Sequence, residues 1–531
     1  MLKKALVGLL ALSLSVCTLS GCGNRNEEVG ADITGIYGKG EITYPMETNG
    51  EKLTVMQHLN ATIAAVATSQ NELPFTKTLR EKTGIDVEYI NPSVAQWDEQ
   101  FNLLFSSDDL PDIIHYNWRN YTGGGADGVV DSGFIMDLTP YLEDYAPNYY
   151  KFLQNNEFIA KIAKSPKGKY YCFGNSGHQL PTKGPYLRAD WLKELNLEVP
   201  ETIDEWEHVL TVFKEKKGAE APFAWDNKNF YDQTSFENAY GASLKFKTEE
   251  NGTKAVYGPM TTNYRDFILK MKDWFDKGLI DKNLATADQA SLDALLLTGK
   301  TGATSGYISS GLGAKLTAME KDPTFDLVAA PIPVLNKGDK PIRVDVINNG
   351  GYGDVAAISS TSVNKELAMR YLDYAYSDEG HMYYLYGEEG KTYTMEDGVP
   401  KYTDMILNNP DGHSVAEAQA LYTRSTYSGA MYTDDNYYIQ TIQRPQQLHA
   451  LETWKYDKSQ MLPNLAMTPE EQKEYSEIMT EIDSHAREVS MGVIYGRIPV
   501  SDLENLPVKL KEMGIERATE IVQTALDRFN K

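Results

Sequence analysis

Two side-chain kinds recur at positions where they could hold a flat, hydroxyl-rich molecule. Aromatic rings offer planar apolar faces, and Asp, Asn, His and Arg offer paired hydrogen-bonding groups. The chain carries 34 Tyr, 16 Phe and 7 Trp. Candidate contacts must sit just past strand ends or in polar loops. The first group is His58 and Asn60, followed by the aromatic–amide–aromatic run Tyr116, Asn117 and Trp118. Further along stand Arg188 and Asp190, Trp225 in the polar loop PFAWDNKNFYD, Tyr307 beside glycines, Tyr352 in NNGGYGD, and Trp454 in LETWKYD. Arg188 and Asp190 could serve a ligand equally well as a mutual ion pair. Trp191, Trp206 and Trp274 lie on or beside apolar helix stripes and are assigned to packing.

Other chemistry has weaker support. The eight His residues show no metal-ligand spacing, and no metal or cofactor is expected. No G-x-S-x-G, H-E-x-x-H or P-loop pattern occurs. G-x-G-x-x-G does occur at Gly123 to Gly128 after a strand signal, but no clear helix is read there, so a dinucleotide role is set aside. Paired carboxylates for glycoside hydrolysis remain open, because 75 acidic residues supply many chance pairs. The net charge of −24 argues against nucleic acid and against anionic lipid as partners.

The elements that must position these residues can be read in outline. Residues 1–21 combine Lys3 and Lys4 with an apolar run from Leu6 to Val16. That run is too short to cross a bilayer and reads as a signal peptide. Residues 22–50 are polar and glycine-rich, and are expected to form a flexible tether. From Leu53 onward strand and helix signals alternate: strand 53–59, helix 74–82 closed by Gly84, strand 85–90, helix 94–105, strand 110–115. This is the β-α-β-α-β order of a doubly wound sheet, whose ligands bind beyond the carboxyl ends of its strands. A second region opens near 186. It has a capping box at Thr202–Glu205, an apolar helix stripe from Tyr264 to Phe275, a helix 290–297 and a strand 301–307. After 363 the chain is mostly helical, at 364–376, 469–490 and 502–529. Cys172, in the run KYYCF, is expected to be a buried thiol without a disulfide partner.

Several segments together resemble the extracellular solute-binding lipoproteins of bacterial sugar importers, the broad group that includes maltose-binding proteins. They are LSGC ending at Cys22, LREKTGIDVEY at 79–89, SSDDLPDIIHYN at 106–117, YLRADWLKELNLEVPETIDEWEHVL at 186–210, FDLVAAPIPV at 325–334, VAAISSTSVNKELAMRYLDYAYSDEG at 355–380, and YGEEGKTYTMEDG at 386–398. The resemblance implies a two-lobed α/β fold of the periplasmic-binding-protein type II kind with a mostly helical C-terminal part. It implies a diacylglyceryl group on Cys22, an oligosaccharide ligand held between closing lobes, and delivery to the permease of an ABC transporter. The receptor is expected to be a monomer outside the membrane, attached by its lipid alone. An N-terminal lobe over 51–175 and 330–360 and a C-terminal lobe over 176–329 and 361–531 are expected. Alginate-binding relatives carry a calcium loop. The nearest match here, Asp226 to Asp232, fails at positions 3, 5 and 6 of that motif (Lys228, Phe230 and Tyr231). A surface-anchored glycoside hydrolase and a sugar-sensing lipoprotein stand as alternatives.

Overall fold

The computed structural model describes residues 32–531 apart from 94–95, 105–109, 122–123, 178–179, 226–229, 231–235, 345–353, 425–428 and 443. Thirteen strands are named in chain order: β1 Lys52–Met56, β2 Asp86–Ile90, β3 Ile113–Tyr116, β4 Asn175–Ser176, β5 Lys183–Arg188, β6 Phe246–Glu249, β7 Lys254–Tyr257, β8 Ala303–Tyr307, β9 Leu327–Ala329, β10 Val355–Ile358, β11 Tyr393–Glu396, β12 Val399–Tyr402 and β13 Met431–Tyr432.

The first lobe is built on the sheet β10-β3-β1-β2. β1 runs parallel to both β2 and β3, while β10 returns antiparallel to β3. The β-branched and aromatic residues of these short runs pack into one large apolar cluster with the helices that cross them. Helix Pro74–Thr83 shows the local logic. Pro74 starts it, Phe75 and Leu79 face the core, and Gly84 ends it in the left-handed conformation at φ 71°. A methyl group on Gly84 would sit 2.2 Å from the Met46 carbonyl oxygen, so the glycine also admits the N-terminal segment.

The second lobe is built on the sheet β8-β5-β9, with β5 antiparallel to both neighbours. Apolar clusters cover it on both faces. Helix Ile203–Lys217 begins at the expected reciprocal capping box of Thr202 and Glu205. Helices Pro469–Ile494, Val500–Glu512 and Ile515–Asn530 complete this lobe. The stretch expected as one helix over 502–529 is two, separated at Gly514, whose φ is 97°.

Three expectations about organisation need correction. The buried apolar residues from Leu367 to Tyr437 that the structure describes pack into the first lobe's cluster, not the second lobe's. Conversely, Ala330 and Ile332 pack with the second lobe, and the return to the first lobe comes at Asp354–Val355. Part of the expected tether is folded. Arg370, fully buried, donates through Nη1 to the Gly40 carbonyl at 2.7 Å and through Nη2 to that of Gly38. Tyr44 packs edge-on against Tyr374, and the Met46 amide donates to the Thr83 carbonyl. Residues 32–48 therefore form a strap across the first lobe. Finally, a helix does start in the glycine-rich run, at Gly125–Asp131. Gly124 is needed there because a Cβ would lie 2.9 Å from Pro469 of the second lobe, which gives the glycine a packing role.

Candidate ligand cleft

Among the described residues the chain changes lobe three times: between Ser176 and Lys183, between Val344 and Asp354, and between Tyr437 and Tyr438. The first change arrives at Lys183, where β5 begins beside the end of β8, and the second arrives at Asp354, beside the carboxyl end of β3. These two strand-end surfaces are the candidate walls of a ligand cleft.

On the first lobe the rim is aromatic and polar. The His58 ring lies edge-on to Trp97, with centroids 5.3 Å apart. Tyr116 stacks on Phe101 at 3.6 Å and meets Trp118 edge-on at 5.3 Å. His58 Nδ1 stands 2.9 Å from the Asp354 carboxylate, both groups about a quarter exposed. That carboxylate raises the His58 pKa above the usual imidazole value, against the opposing effect of burial. Below the rim lies a buried polar layer. Arg424 donates to Gln57 Oε1 at 2.8 Å. Burial, with Arg424 and His58 adding to it, holds His115 well below the usual imidazole range, so its ring is neutral.

On the second lobe, Tyr307 ends β8 with nearly half its surface exposed. The Lys183 ammonium sits over its ring, 4.9 Å from the centroid, as a cation–π contact. Arg343 Nη1 reaches the Lys183 carbonyl at 3.4 Å, and its guanidinium lies over Tyr456. Each of the two candidate walls thus offers ring faces and hydrogen-bonding groups. Among the described residues, no group of three or more His, Cys, Asp or Glu side chains could hold a metal ion.

His58 and Tyr116 lie beside Trp97 at the carboxyl ends of the first sheet's strands, with Asn117 next in the chain, while Tyr307 ends β8 in the second lobe; the other described candidates have packing, capping or ion-pair roles. Asn60 caps a short helix, its Oδ1 accepting the Ile63 amide at 2.9 Å. Trp118 is fully buried beneath Tyr116 and Phe134. Trp225 is fully buried among Phe223, Phe230 and Phe236. Hiding an indole of about 200 Å² contributes up to roughly 5 kcal/mol to folding, ample reason for a core role. Trp454 is fully buried against bare Gly184, and its Nε1 donates to the Pro185 and Ala330 carbonyls. Arg188 and Asp190 form a two-pronged ion pair at 2.6 and 2.8 Å, and the guanidinium is flanked by Trp191 and Phe325. They stand at the far end of β5 from Lys183. Tyr352, Cys22 and all of the Asp226–Asp232 loop except Phe230 lie outside the described residues. Cys172 is buried as expected, which pushes its thiol up to about 12.

Sequence reading passed over Trp97, Lys183, Arg343 and Asp354. Trp97 read as one member of an apolar helix stripe. Asp354 directly precedes the apolar run VAAI, and a carboxylate at a strand mouth is the signal that could have marked it.

A 401-residue stretch is 24% identical to Lipoprotein LipO of Bacillus subtilis, covering 73% of this chain and 76% of that protein. Over 557 aligned positions the chain is 23% identical to the fructooligosaccharide ABC transporter substrate-binding protein FusA of Streptococcus pneumoniae, covering 98% and 97% of the two. Its fold matches the crystal structure of an extracellular solute-binding protein from Bifidobacterium longum subsp. infantis with a TM-score of 0.71. That match has 19% identity and covers 91% of this chain and all of the other. Residues 59–382, more than half of the chain, match the model of the bacterial extracellular solute-binding protein family, and the chain belongs to that family.

Proposed function

We propose that this chain is the solute receptor of an ABC importer and that its ligand is an oligosaccharide. The observation that carries the reading is that partly exposed rings and polar groups stand at the strand ends of both lobes: His58, Trp97 and Tyr116 on the first and Tyr307, over buried Lys183, on the second. Sugar rings present flat CH faces to aromatic side chains and hydroxyls to forked polar groups. The similarity to a fructooligosaccharide-binding transporter protein supports the same ligand class. Ligand touching both walls favours the closed arrangement by its differential affinity, and that arrangement is the one presented to the permease. We further propose that Cys22 carries a diacylglyceryl anchor on the outer membrane face, consistent with the relative named as a lipoprotein.

Six of the seven tryptophans are buried, leaving Trp97 at the rim. Titration with fructo-, malto-, xylo- and galacto-oligosaccharides is therefore expected to change tryptophan emission, and Trp97→Phe to remove most of that change. Tyr307→Ala is expected to weaken binding by about 10- to 100-fold, the loss of one stacking platform. A response to peptides and to no sugar would overturn the reading.

A further inference from the structure

A concavity of about 1070 Å³ lies on the first lobe beside Ser176 and Gly177, where the first crossing begins. It shares no residue with the cleft walls described above. Its floor is aromatic. Phe152 stacks on Tyr432 with centroids 4.8 Å apart, and Tyr432 is backed by the His381 ring at 3.8 Å and 7°. Phe152 and Tyr432 are only half-buried, so the stack presents a rigid apolar face. Asn155, exposed on helix Pro147–Asn155, stands at the wall. The strap contributes 41–44. Charge narrows the occupant. The lining holds five carboxylates, Glu41, Glu157, Asp378, Glu379 and Asp435, against one lining cation, Lys151; Glu157 and Glu379 are also paired with Lys161 and Lys82 outside it, which leaves the balance negative. An anion is disfavoured there, and no described cluster can hold a metal ion. Flat rings, an amide and carboxylate acceptors suit a neutral polyhydroxylated ring.

Position gives the groove a consequence. Ser176 and Gly177 begin the first crossing to the second lobe. Tyr432, Thr433 and Asp435 lead into the third. An occupant therefore touches the start of the first crossing and the residues leading into the third, together with the body of the first lobe. We propose that this groove is a second, neutral-saccharide site whose occupancy is coupled to the lobe angle, and through it to the cleft. Such coupling is reciprocal: cleft ligand must change groove affinity by the same factor.

Calorimetric titration of the full chain with neutral fructo-, malto- and xylo-oligosaccharides, and with oligogalacturonides as acidic controls, tests this. Two classes of site per chain are expected for a neutral sugar. Asn155→Trp, an exposed substitution that fills the groove, removes one class, and Phe152→Ala does the same. Tyr307→Ala weakens only the other class directly. A single class that survives Tyr307→Ala but is lost in Asn155→Trp supports the groove and sinks the cleft reading. A single class unaffected by Asn155→Trp, binding by acidic sugars alone, or no neutral-sugar binding overturns the groove proposal.

Discussion

The pairing of His58 with Asp354 places a titrating group on a candidate cleft wall. Its pKa is raised by the carboxylate, so the pair contributes stability that is complete below the ordinary imidazole value of 6.5. That contribution is lost as pH rises through the higher folded value. In Asp354→Asn the His58 ring is expected to titrate at lower pH than in the parent, measured by the NMR shift of its ring protons. An unchanged titration would show that the carboxylate does not govern it. At this scale the sequence was an uneven guide. The partly exposed positions of His58, Tyr116 and Tyr307 were legible because residues just past strand ends emerge from the sheet, whatever their neighbours. Trp118 and Trp225 were misread because glycines or polar residues beside them suggest a loop. Burial, however, is decided by distant partners such as Phe134 and Phe236. The Arg188–Asp190 pair was ambiguous because a fork that binds hydroxyls also binds a carboxylate.

Among elements, the second lobe relies on a cross-link between helices Ile203–Lys217 and Thr262–Asp276. Glu207 accepts from Trp274 Nε1 at 3.0 Å and from Lys270 at 3.2 Å, and is also paired with Lys277. Burial would raise its carboxyl, yet these three donors pull it down to about 2. A depressed carboxylate contributes stability above its unfolded value of 4.5, lost as pH falls toward 2. Glu207→Gln is expected to cost about 2 kcal/mol at pH 7 and little at pH 2, because the mutant lacks the acid-sensitive contribution. Denaturant midpoints at several pH values check this; equal losses at both ends would refute it. Most elements were readable because their local signals are strong: a capping box at Thr202, a terminating Gly84, and alternation in IDVEY. The break at Gly514 was not, since a lone glycine inside an apolar helical pattern does not by itself end a helix.

For the molecule as a whole, lobe membership was the least legible property. Helix Lys365–Tyr374 and its successors carry apolar faces that fit any sheet, and no residue in them names one. The antiparallel return of β10 beside β3 decides it, by delivering the chain to the first lobe just before these helices begin. The strap was hidden for a similar reason. Its glycines suit a linker, while its anchor Arg370 lies more than 300 residues away. With Cys22 acylated, Cys22→Ala is expected to release the protein from the membrane fraction into the medium and to abolish labelling by radioactive palmitate. Retention in the membrane fraction would refute the anchor.

The same strap sets a leash. Once residues 32–48 are clamped to the first lobe, only ten peptide steps separate Cys22 from Asp32, a span of at most about 35 Å. A fully loose segment to residue 50 would allow nearly three times that. If Cys22 carries the lipid proposed above, the body would stay close to the bilayer, held there through its first lobe. It would meet a neighbouring transporter by drifting sideways in two dimensions rather than by falling onto it from above.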